Sequence, residues 1–212
     1  GSGKSLLLDY LQKLNGQTPY AHSLAHATPA GRARTFANAG QRVVICENHG
    51  ESDQSVDWDE LKPLYSSGSI SIRSGDGQTN AVTFSGAVTI TANQPLDCSD
   101  AVRSRMVVVD LSATDAHTPR VRPEAIGDLD AGEASAFGIK VAQSEEWISS
   151  NLQAFLPAYQ GQLTHKYGQC LNRRTALNCA QMLALLDLLC TLLSISEELR
   201  LEARKLIHDI AF

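Results

Sequence analysis

The chain has 212 residues, 43% of them apolar, and a formal net charge of −5. A chain of that size buries about 70% of its unfolded surface, so neither disulfides nor structural metals are needed for a stable core. The acidic balance argues against a free-standing nucleic-acid-binding module, which is usually basic, though not against a local basic channel formed where subunits meet. Five cysteines without a C-x-x-C pair fit reduced, buried thiols and a cytoplasmic location. No uninterrupted apolar run reaches the roughly 18 residues of a membrane span, so no membrane partner is expected.

Taken from the start, Gly1-Ser2-Gly3-Lys4-Ser5 matches the second half of the phosphate-binding pattern G-x-x-x-x-G-K-[ST]. The first glycine of that pattern would lie upstream of residue 1. Backbone N–H groups of Gly1, Ser2 and Gly3 would close around phosphate oxygens. Lys4 would reach the outer phosphates, and Ser5 would offer its hydroxyl to Mg²⁺. A Gly-Ser-Gly start is also what a cloning linker leaves, in which case the chain is a plain α/β protein.

Residues 4–14 read as a helix ending at Asn15-Gly16, with its positive N-terminus toward the anion. A loop and a short helix around Arg32–Ala39 follow, closed by Gly40, with Arg32 and Arg34 as solvated charges. Residues 42–46 form a continuous apolar run, the pattern of a strand buried on both faces of a parallel sheet. Glu47 follows at its C-terminal end, where ligands bind in open α/β sheets, and could orient a water against a γ-phosphate. A short helix over 57–66 is capped by Asp57 and stopped near Pro63.

Ser69–Arg73 and Ala81–Phe84 alternate around the turn cluster Ser74–Gln78 and predict a β-hairpin. Ala87–Thr91 is a further strand with Asn93 just beyond its tip. Val107–Leu111 reads as a third buried strand, preceded by Arg103 and Arg105. Residues 112–140 are rich in Pro and Gly and read as a loop-like linker. Beyond 141 the pattern is helical: Glu145–Ala154 interrupted by Pro157, an all-round apolar helix at Arg173–Ser194, and an amphipathic one from Ser196 to Phe212.

The order Gly-Lys-Ser, Val-Val-Ile-Cys-Glu47, hairpin, Thr-Ile-Thr-Ala-Asn93 and Ser-Arg105 before an apolar run resembles the ATPase domain of superfamily 3 helicases. It equally resembles the related phage and plasmid primase-helicases of the AAA+ class. The resemblance covers about residues 1–111. It implies an α/β fold with a P-loop NTPase core at 1–111, a linker at 112–140 and a helical subdomain at 141–212. It implies ATP and Mg²⁺ as cofactors, with Gly1, Ser2, Gly3, Lys4 and Ser5 on the phosphates and Ser5 and Glu47 on the metal.

Glu47 would be the catalytic acid, Asn93 the sensor, and Arg105, or less favourably Arg103, the arginine finger of a neighbouring subunit. Single-stranded or forked DNA, a homo-oligomeric ring (a hexamer) and an upstream primase domain are the implied partners. Arg73 is the cation that the hairpin offers to DNA.

Three departures stand out. Cys46 occupies the place where the family has an Asp, the first half of the phosphate loop is absent, and the hairpin tip has no lysine or aromatic residue. The expected activity is an ATP-dependent DNA helicase motor of a mobile-element replication protein. The alternative is a nucleotide-dependent binding or assembly module with little hydrolysis.

Overall fold

The computed structural model describes residues 3–18, 20–24, 27–48, 57–65, 68–73, 79–111, 123–168 and 171–210. The chain divides into two compact units, Gly1–Arg103 with Leu111–Lys140, and Ser104–Asp110 with Val141–Phe212.

The first unit is built on a three-stranded parallel sheet. Its strands are β1 (Ala21–Ser23), β2 (Val43–Asn48) and β5 (Ala87–Ala92), in the order β1-β2-β5. Val44, Ile45 and Cys46 of the central strand are buried, as the apolar run predicts. The strand extends through Glu47 to Asn48, two residues further than the apolar pattern alone suggests. β1 has no β-branched or aromatic residue and is read as loop from the sequence. Its ladder to β2, with His22 opposite Cys46, makes it a strand.

Helix α1 (Lys4–Leu14) is tied to the entry of β1 through Gln12, whose amide donates to the Tyr20 carbonyl and accepts from the Tyr20 N–H. Helix α2 (Pro29–Ala39) starts on a Thr28 side-chain cap with Pro29 in its first turn. Phe36 of α2 meets Phe84 edge-on at 5.9 Å. Phe84 leads into Gly86, where an added Cβ would lie 2.3 Å from the Arg42 carbonyl oxygen, so only glycine lets the chain enter β5.

A short 3-10 turn (Trp58–Leu61) and helix α3 (Lys62–Tyr65) precede the predicted hairpin, β3 (Ser69–Arg73) with β4 (Thr79–Thr83), antiparallel with Ile70 opposite Val82. Its tip, 74–78, lies outside the described residues. Helix α4 (Asp100–Arg103) follows β5.

Four expectations are corrected. Arg32 is not a solvated charge. It is 8% exposed, paired to Glu60 at 2.8 Å, and donates to the carbonyls of Leu24 and Ala27. Val107–Leu111 is not a buried strand. No ladder reaches it among the described residues, and Val107, Val108 and Val109 are 44%, 65% and 46% exposed.

The stretch 112–140 is not loop throughout either. Helices α5 (Pro123–Asp128), α6 (Ala131–Ala134) and α7 (Ala136–Gln143) occupy its second part. Asp130 caps α6, and Lys13 of α1 donates to the Gly127 carbonyl at 2.7 Å. The fourth correction concerns Pro157, which lies inside a continuous helix α8 (Glu145–Tyr167). Proline in a helix interior costs about 3 kcal/mol. Packing of the neighbouring Leu156, Tyr159 and Leu163 in the apolar cluster of the second unit offsets that cost.

The second unit is a bundle of α8, α9 (Arg173–Leu192) and α10 (Glu197–Ile210). Leu163, Cys179, Ala180, Leu183 and Ile207 form its core. Beside that core lies a polar network. Asp187 on α9 is 5% exposed and accepts from Arg200 and Arg204 of α10 and from the Tyr159 hydroxyl of α8. Among the described residues α9 is the one helix apolar and long enough to cross a membrane, and half of its most apolar window is buried in this bundle.

Candidate nucleotide site

α1 begins without the usual cap. Gly3 takes a left-handed φ of +74°, supplies no side chain to the first turn, and no acidic residue follows in that turn. Among the described residues the positive end of this 11-residue helix thus has no side-chain cap, and its first residues, Lys4 and Ser5, carry a cation and a hydroxyl. The Lys4 ammonium donates to the Asn93 side-chain oxygen at 3.3 Å, a contact between residues 89 positions apart.

Asn93 stands just beyond the end of β5, and parallel pairing sets Glu47 of β2 opposite Thr91 of β5 and Ser23 of β1. Lys4, Asn93 and Glu47 thus belong to one edge of the sheet, the C-terminal ends of its strands. That is where open parallel sheets take their ligands. Ser5 is exposed on the first turn of α1, beside Lys4.

Cys46 has another fate. Side chains alternate along a strand, so its thiol faces away from Glu47. It is fully buried and lines the space between the sheet and α2 with Leu24, Arg32 and Phe36, a cavity of about 230 Å³. Burial pushes its pKa up to about 12, so the thiol stays protonated and apolar in character at neutral pH. A protonated buried thiol is not a ligand for a hard cation.

The donor set tests the fit of Mg²⁺. Ser5 carries a hydroxyl and Glu47 a carboxylate, and no group of three or more His, Cys, Asp or Glu side chains among the described residues could hold a metal. Mg²⁺ is commonly held by one or two protein oxygens plus substrate phosphates, so these residues suit a phosphate-borne ion and not a resident one.

The other expected site residues are not gathered there. Gly1 and Ser2 lie outside the described residues, as does the side chain of Arg73. Arg103 is exposed at the end of α4, in the same unit as Lys4. Arg105, partly buried in a turn, belongs to the other unit. Sequence reasoning missed Ser23 and Thr91, the polar residues that flank Glu47 across the ladder. The alternation of Ala87–Ala92 against the central strand could have pointed to Thr91. Comparison of the chain with protein-family models, with curated proteins and with solved structures gives no match.

Proposed function

We propose that the first unit binds ATP with Mg²⁺ as a P-loop-type nucleotide site and that the chain is the ATPase motor of a DNA helicase. The observation that carries this reading is the Lys4–Asn93 contact at the start of α1. Two residues remote in sequence, of the types needed to hold and sense a terminal phosphate, meet at the start of this helix.

In this reading the α1 N-terminus and Lys4 bind the phosphates, Ser5 and Glu47 hold the ion, and Asn93 positions the terminal phosphate or its attacking water. When bound there, the ion would supply charge neutralisation on the phosphate oxygens. Glu47 orients the water. An arginine from a neighbouring copy, Arg105 or Arg103, completes the site in a ring around single-stranded or forked DNA, and the hairpin bearing Arg73 faces that strand. The motor belongs with a cytoplasmic replication machinery that includes a primase domain.

The test is turnover in the presence of DNA. Glu47→Gln is expected to abolish hydrolysis while leaving ATP binding intact. A variant that hydrolyses as fast as the parent chain removes Glu47 from the reaction. Arg105→Ala is expected to spare binding and cut turnover only in the assembled state.

The buried Cys46 favours a second reading. With one carboxylate in place of the usual two acids, the site can bind nucleotide and hydrolyse it slowly, serving assembly and not translocation. Steady ATP binding without DNA-stimulated turnover in the parent chain selects this reading.

A further inference from the structure

The helical unit is polarised in charge along its axis. Tyr159 meets Asp187 and Arg204, while Tyr167 meets His208 at 3.2 Å, so α8 and α10 run in the same direction and α9 runs against both. The start of α8, the end of α9 and the start of α10 therefore share one end of the bundle. There the exposed charges are Glu145, Glu146, Glu197 and Glu198.

The opposite end gathers His165 and Lys166 at the close of α8 and Arg173 and Arg174 at the opening of α9, all exposed. Asp209 is the acidic residue beside them, acting on His208. Cations at the end of α8 complement its dipole, but two arginines at the start of α9 oppose theirs. Asn172 caps that helix, accepting from the N–H groups of Arg174 and Thr175, so the arginines are not needed to begin it. Arg174 also donates to the Ser104 hydroxyl at 3.3 Å, which fixes its guanidinium at this surface. A Lys166 ammonium lies 4.9 Å over the Tyr167 ring.

We propose that this basic end of the helical unit binds a nucleic-acid strand through its phosphates. Two neighbouring arginines and a lysine exposed on adjoining helix ends suit the phosphodiester backbone of a strand. The choice of nucleic acid as the polyanion rests on the motor reading above. The residues themselves belong to the other unit from Lys4 and Asn93, so either proposal can fail without the other.

The experiment is anisotropy of a labelled single-stranded oligonucleotide titrated with the full chain, without nucleotide, over a series of salt concentrations. Lys166→Ala/Arg173→Ala leaves Arg174 and the caps untouched. It is expected to weaken binding about tenfold at low salt and to lower the slope of log affinity against log salt by about 1.4, ~0.7 for each phosphate that is no longer neutralised. Glu145→Gln/Glu146→Gln, at the other end, is expected to change neither. Absence of binding by the parent chain, an unchanged slope in the double variant, or binding to phosphatidylserine vesicles in place of the oligonucleotide overturns the proposal.

Discussion

Asp187→Asn probes the network that joins the three helices of the second unit. The carboxylate is buried, with Arg200 Nε at 2.8 Å and Arg204 Nη2 at 2.5 Å. Each charge-assisted bond to a buried carboxylate contributes about 1.5–3 kcal/mol. Both guanidinium groups are 30% exposed, so they rehydrate in part when the charge is removed, and the low end of that range applies. Removal of both bonds should then cost about 3 kcal/mol, the lower limit for breaking a buried pair. For a unit of this size that lowers the melting temperature by roughly 12–24 °C.

The same network gives a signed pH dependence. Burial alone would raise the Asp187 pKa, but the hydrogen bonds from Arg204, Arg200 and Tyr159 outweigh it and hold the carboxyl below its usual range. A carboxyl depressed in the folded state stabilises above its unfolded pKa of about 3.9, and the contribution fades as pH falls through the lower folded value. Far-ultraviolet dichroism during thermal and urea denaturation measures both effects. An Asn variant within about 0.5 kcal/mol of the parent at pH 7, or a parent chain whose acid sensitivity below pH 4 matches that of the variant, refutes this account.

Further expectations concern the first unit. Cys46→Asp should destabilise the chain by several kcal/mol and should not strengthen Mg²⁺-dependent nucleotide binding, because it buries a carboxylate against α2. A stable variant with tighter Mg²⁺ dependence would place position 46 at the metal. Since the Cys46 thiol is raised to about 12, its contribution is full below its unfolded pKa and is lost as pH rises toward that value, which alkaline denaturation of Cys46→Ala beside the parent can detect. Gly86→Ala should cost about 2 kcal/mol or more through its clash with the Arg42 carbonyl, read from the urea midpoint, and an unchanged midpoint contradicts the close approach.

Much of the first unit is legible in the chain because its signals are local. The apolar run around Val44 reads as a buried strand, the Gly-rich cluster between alternating stretches reads as a hairpin, and Gly16 and Gly40, both left-handed, mark helix ends. What escaped depended on partners distant in sequence. Ala21–Ser23 is a strand only because β2 offers it a ladder. Val107–Leu111 has the composition of a strand but no ladder among the described residues. Arg32 looks like any helix-surface arginine until Glu60 and two loop carbonyls are brought around it. Helix α8 passes through Pro157 because α9 rewards its continuation.

The site divides in the same way. Lys4 and Ser5 are readable from a motif, and Asn93 from its place after a strand. The direction of the Cys46 thiol follows only from the register and from α2 packed against it.

The claim that Lys4 and Asn93 meet to hold a nucleotide is tested most directly by titrating the chain with fluorescently labelled ATP in Mg²⁺, beside Lys4→Ala. Saturable binding by the parent chain, weakened about tenfold or more in the variant because a charge-assisted bond to phosphate is missing, is the expected result. Equal affinity of the two chains, or no binding by either, contradicts it.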